Sequence, residues 1–136
     1  MAQYRVDAQV LRNAGYLGLK HKLHGYFYEE NDHAKKLLNR ILLLGGAVAS
    51  SDMVAEAPQV SDDVQAILTN NLALESKAIE DYNAAIKQST AAGDDVTSKI
   101  LRHILCEENN HAAWLEMQLA YIKKLGIENY LVEQMD

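Results

Sequence analysis

Proline and phenylalanine each occur once in these 136 residues, glycine seven times, and cysteine only at Cys106. Long stretches therefore contain nothing that breaks a helix, which argues against an all-β or disordered chain. A lone thiol cannot build an internal disulfide, a zinc ribbon or a thiolate cluster, and it fits a reducing cytoplasm. A basic face is missing too. Thirteen Lys and Arg stand against nineteen Asp and Glu, for a net charge of -6, which argues against nonspecific binding to nucleic-acid phosphates. No stretch approaches the roughly 18 uncharged apolar residues of a membrane span. Met1 to Gln9 lacks the basic-then-apolar order of a signal peptide. The expectation is a cytoplasmic chain with no membrane partner, folded as a single domain over 1–136.

What is present is helical periodicity. From Tyr16 to Leu44 the inward candidates Leu19, Leu23, Phe27, Ala34, Leu37, Ile41 and Leu44 recur every three or four residues, and Gly45-Gly46 ends the run. The next fifteen residues, with Ser50, Ser51 and Pro58, have no clear period and read as a long connection. A second helix starts at Ser61-Asp62-Asp63, where acidic and hydroxyl side chains suit free amides. Its stripe is Val64, Ile67, Leu68, Asn71, Leu72, Ala78, Ile79, Tyr82 and Ile86. After Gly93-Asp94-Asp95 a third runs through Ile100, Leu101, Ile104, Leu115, Leu119 and Ile122 to Lys123-Lys124. Short helices are expected over Met1 to Asn13 and Ile127 to Met135. The predicted class is all-α: a four-helix bundle with a long crossover, a shortened first helix and a short C-terminal one.

Chemistry interrupts the apolar stripes. Glu30 and His33 lie between Phe27 and Leu37, Glu108 and His111 between Ile104 and Leu115, and Glu75 between Leu72 and Ile79. Each Glu-x-x-His projects from one helix face. Chance predicts about 0.4 such pairs in a chain of this composition. Two of them, both on inward stripes, point to metal, because buried carboxylates need protons, hydrogen bonds or cations. Paired-metal bundles use one Glu from each of two helices and a Glu-x-x-His from each of the other two. One Glu and both pairs are filled here. By that logic Glu30 and Glu108 bridge two ions, His33 and His111 are terminal ligands on different ions, and Glu75 is a terminal carboxylate beside His111. Iron, manganese and zinc all suit these donors.

Glu30 to Ala34, Arg40 to Gly46, Leu72 to Glu75, Glu107 to Trp114 with Leu115-Glu116, and Asn129-Tyr130-Leu131 resemble, in order, the motifs of bacterioferritins. Gln3-Tyr4 resembles the second half of that family's first helix. The resemblance implies a ferritin-like bundle assembled into a hollow 24-subunit shell that stores iron. It also implies a di-iron centre where ferrous iron is oxidised with O2, with Glu30, Glu75 and Glu108 as the catalytic carboxylates. The family's remaining Glu ligand would stand about two turns before Gln3. Asp7, short and on the wrong turn, does not replace it. Asn31 follows Glu30 where the family has its haem-binding methionine, so haem is not expected.

Two other functions compete with iron oxidation. One is a structural shell subunit or metal-binding module with an incomplete, weak or inactive site, in a homo-oligomer or a mixed assembly with a complete subunit. The other, a rubrerythrin-type oxidase or peroxide scavenger, is disfavoured because no Cys-x-x-Cys follows. His21 and His24 read as solvated, Cys106 as a small core or surface residue, and Tyr4 and Trp114 as core packing rather than electron relays. Glu29, Asp32 and Glu107 read as exposed helix charges.

Overall fold

The structure, a computed structural model, describes residues 2–49 and 56–136; Met1, Ser50 and Ser51 lie outside them. Five helices follow one another: α1 (Ala2–Asn13), α2 (Leu17–Leu43), α3 (Val64–Ala91), α4 (Asp95–Leu125) and α5 (Ile127–Glu133). Their limits follow from local chemistry. Asp63 and Asp94 cap α3 and α4, each accepting a hydrogen bond from a first-turn amide, Ala66 N at 3.0 Å and Thr97 N at 3.1 Å. Gly45 ends α2 at φ 80°, a left-handed turn that other residues adopt only with strain, and lets Gly46 N donate to Ile41 O at 2.9 Å.

Helix directions can be read from the side-chain contacts. His33 meets Glu107 and Glu108 while Arg40 meets Thr97 and Asp94, so α2 and α4 run antiparallel. Because α3 is antiparallel to α4 across a tight turn, α3 runs parallel to α2, and the connection between them must return along the bundle. At 1.5 Å per residue α2 is roughly 40 Å long. Twenty residues between the two helices span that with ease. Gln3 clamps the returning chain: its Nε2 donates to Gln59 O at 2.7 Å and its Oε1 accepts from Gln59 N at 2.9 Å.

The core, including Tyr4, Leu11, Leu19, Leu23, Ile67, Leu68, Leu115, Ile122 and Tyr130, draws on all five helices and lies where they overlap. With only 12 residues, α1 covers less than half of α2. This corrects two expectations. Ile41 and Leu44, placed inward by periodicity, are 40% and 58% exposed, because among the described residues no fourth helix stands opposite the end of α2. Phe27 is only half-buried, and its neighbour Tyr26 takes the core position. Among the described residues no helix is long and apolar enough to cross a membrane.

Candidate metal centre

Near the α1 end of the uncovered half, three helices direct charge inward. Glu30 and His33 come from α2, Glu75 from α3, and Glu108 and His111 from α4. Donor atoms of Glu30, Glu75, Glu108 and His111 all lie within 4.8 Å of one another. His33 is outside that tight group, although its Nδ1 is 3.0 Å from Glu108 Oε1 and 3.7 Å from Glu30 Oε2. His111 Nδ1 is 3.4 Å from both Glu30 Oε1 and Glu75 Oε1, and 3.7 Å from Glu108 Oε1. Glu30 and Glu108 therefore reach both imidazoles, whereas Glu75 faces only His111.

Several of these approaches are close in distance but not aligned as hydrogen bonds. Glu30 Oε1, His33 Nδ1, Glu75 Oε2 and Glu108 Oε1 are buried without a hydrogen-bond partner among the described residues. Four unpaired donor atoms facing one another is an expensive arrangement unless something binds between them. Nitrogen and carboxylate oxygen in this mixture suit a transition-metal ion. A cavity of about 150 Å³ borders the group, walled by Tyr4, Glu30, Glu75, Ala78 and Glu108.

Protonation follows the same crowding. Burial pulls the imidazolium pKa of both histidines down, but carboxylate hydrogen bonds outweigh it and hold His33 and His111 at about 10. Glu30 also feels burial, yet the close approach of the His111 and His33 rings holds its carboxyl well below the usual range. Glu108 is pushed up to about 8 by burial and by the neighbouring Glu30, against the opposing pull of His33. Without a cation, the pocket balances its carboxylates with protons.

A second ring of acids corrects the sequence reading. Glu29 is exposed as expected and Glu107 is partly buried, but each engages a histidine of the centre. Glu107 Oε2 sits 2.7 Å from His33 Nε2, and Glu29 Oε2 contacts His111 Nε2. Each acid precedes its own Glu-x-x-His but grips the histidine of the other helix, giving a local two-fold pattern. The signal was available in the twin pentads Glu29-Glu30-Asn31-Asp32-His33 and Glu107-Glu108-Asn109-Asn110-His111. Periodicity missed it because it records which face is apolar, not what crosses between helices. Asp32 is exposed as expected and pairs with Lys36 at 2.9 Å.

Aromatic side chains close the inner side. Tyr4 Oη donates to Glu75 Oε1 at 2.6 Å, and the Tyr26 ring stacks on His111 with centroids 3.8 Å apart. Trp114 packs edge-on to Tyr26 at 5.7 Å. Tyr4 and Trp114 thus pack as expected, and Tyr26 was missed. Asp7 stays apart from the cluster, accepting from Gln3 Nε2 at 3.0 Å and Asn71 Nδ2 at 2.8 Å. His21 and Cys106 are exposed, but His24 is half-buried, parallel to Phe27 at 6.4 Å.

With this geometry in hand, comparison with known proteins is specific. The family model of the ferritin-like domain matches residues 1–125. A protein named bacterial ferritin from Pseudomonas aeruginosa is 33% identical over 134 residues, covering 98% of this chain and 85% of that protein. Bacterial ferritin from Neisseria gonorrhoeae is 31% identical over the same shares. Bacterioferritin from Brucella melitensis is 30% identical over 129 residues, covering 94% of this chain and 78% of that protein.

Proposed function

We propose, on the premise that this chain belongs to the ferritin-like family and is of the bacterioferritin type, that it is an iron-storage subunit which oxidises ferrous iron with O2. The carrying observation is the convergence of Glu30, Glu75, Glu108 and His111 within 4.8 Å, with buried donor atoms left unpaired. Ferrous iron is the substrate, and each ion gives one electron to O2. Glu30 and Glu108, which reach both imidazoles, serve two ions; Glu75 serves the ion beside His111; His33 and His111 supply one nitrogen each. Glu29 and Glu107 hold the far nitrogens, which fixes each ring with Nδ1 toward the cluster.

The two positions are not equivalent. Three inner carboxylates carry -3 against the +4 of two ferrous ions, and excess charge in a poorly solvated core is costly. His33 stands outside the tight donor group, and among the described residues no further inner carboxylate faces its Nδ1 as Glu75 faces that of His111. The His111 position therefore fills first, and the His33 position is weaker. The same facts favour the second reading, a shell subunit whose site binds one ion and oxidises slowly or not at all. Haem is not proposed as a ligand, since Asn31 follows Glu30 and an amide is a poor axial donor.

Stopped-flow oxidation separates the two readings. Anaerobically loaded protein mixed with O2 should give a ferric absorbance burst proportional to chain concentration, abolished in Glu108→Ala. A Glu108→Ala protein that oxidises iron at the wild-type rate would contradict the assignment, and a wild-type protein without a burst would favour the structural subunit.

A further inference from the structure

Outside the inner cluster, one string of metal-binding side chains reaches the surface. On α4, His103 stands one turn before Glu107, and its Nε2 lies 2.9 Å from Glu107 Oε1. The other oxygen of that carboxylate lies 2.7 Å from Nε2 of His33. Two imidazole nitrogens from different helices thus converge on one carboxylate. The His103 side chain is 61% exposed, Glu107 29% and His33 2%, so the string runs from solvent inward. It continues through His33 Nδ1 to Glu108. Lys36, whose charge also acts on Glu107, is engaged with Asp32 at 2.9 Å and leaves the carboxylate to the histidines.

The other half of the two-fold pattern provides an internal contrast. Glu29 stands to His111 as Glu107 stands to His33, but the residue one turn before Glu29 is Gly25, with open space where a side chain would begin. Among the described residues, an outward imidazole one turn before the outer acid therefore stands on the His33 side and not on the His111 side.

We infer that His103 and Glu107 form an outer site for a divalent transition-metal ion, from which ions pass through His33 to the inner cluster. Imidazole nitrogen with one carboxylate selects ions such as Fe²⁺, Co²⁺ or Zn²⁺ over Ca²⁺ or Mg²⁺, which prefer oxygen. Few protein donors and water in the remaining positions make the site exchangeable, as a loading step requires. No electron moves in this step; one ion changes ligands. The transfer rests on the proposed inner centre, whereas binding at the outer site does not.

Anaerobic Co²⁺ titration of the intact protein tests this, with calorimetry for stoichiometry and stopped-flow visible absorbance for filling of the inner centre. The variants are His103→Ala, at an exposed position, and Glu108→Ala. Wild-type protein should bind three ions per chain, a tight class made up of the two unequal inner ions and one weaker outer ion. His103→Ala should lose the weaker ion, keep the tight class, and fill it about tenfold more slowly, the scale on which partners of ligands act. Glu108→Ala should lose the tight class and keep the weaker ion. Unchanged weak binding in His103→Ala would overturn the outer site, leaving His103 and Glu107 as an ordinary helix-face pair. Lost weak binding with unchanged filling would overturn the transfer. If Glu108→Ala kept the tight class, the inner centre would fail while the outer site stood.

Discussion

At the scale of single residues, protons and metal ions compete for the same atoms. His33 and His111 have folded pKa values near 10 against an ordinary 6.5. Their contribution to stability is therefore fully present below about 6.5 and is lost as pH rises through about 10. Urea denaturation of metal-free protein should give midpoints that fall across that window; a flat or rising midpoint would contradict the two charged imidazoles. Metal reverses the sign. Ligands bind ions in deprotonated form, so loading at pH 7 releases protons from both histidines and from Glu108, held near 8, and apparent affinity rises from pH 6 to 8. Calorimetry in buffers of different ionisation enthalpy reads the release directly, and zero release would refute the proton-filled pocket. Among carboxylates, Glu108→Ala should weaken metal binding more than Glu75→Ala, because Glu108 approaches both imidazoles and Glu75 one. Equal residual binding would count against that division. The five inner residues were legible in the sequence because polar groups on an apolar stripe stand out. Glu29 and Glu107 were not, since their partners lie on another helix.

At the scale of elements, α5 depends on one anchor. It has seven residues, too few to persist alone, and its only buried side chain is Tyr130, whose hydroxyl donates to Gln118 Oε1 at 2.8 Å. Burial pushes the Tyr130 phenol up, so it stays a donor at any ordinary pH. Tyr130→Phe strands the Gln118 oxygen and should cost about 1–3 kcal/mol by urea denaturation. Leu115→Ala, at a fully buried core position, should cost about 2–5 kcal/mol. A Tyr130→Phe protein as stable as wild type would mean that α5 is held by its apolar contacts alone. Helix boundaries were legible where capping acids and glycines mark them, as at Asp63, Asp94, Gly45 and Gly126. Inward faces were legible only where a neighbour exists. Periodicity continues through Ile41 and Leu44, but it cannot reveal that α1 does not extend far enough to cover them. Tyr26 displaces Phe27 because its ring meets His111 and Tyr4, a contact between helices that no single stripe encodes.

For the whole molecule, the uncovered half of the bundle bears on assembly. Ile41, Leu42, Leu43 and Leu44 form a run of exposed apolar residues at the end of α2, 40–70% accessible, beyond the isolated exposed leucine of an ordinary surface. Together with family membership, this leads us to expect a shell rather than a free subunit. Sedimentation of the native protein should show a particle many times the 15.2 kDa of one chain, and a stable monomer would contradict it. That particle should carry no haem absorbance band; a stoichiometric one would overturn the reading of Asn31. The central claim, that the Glu30, His33, Glu75, Glu108 and His111 cluster is a ferrous-iron centre with two unequal positions, is tested most directly by anaerobic ferrous titration of the intact protein. The inner centre should take one tightly bound iron per chain followed by a weaker second, both distinct from the outer ion that His103→Ala removes, with the tight step lost in Glu108→Ala. Two equally tight irons would contradict the inequality, and no binding beyond that of Glu108→Ala would contradict the centre itself.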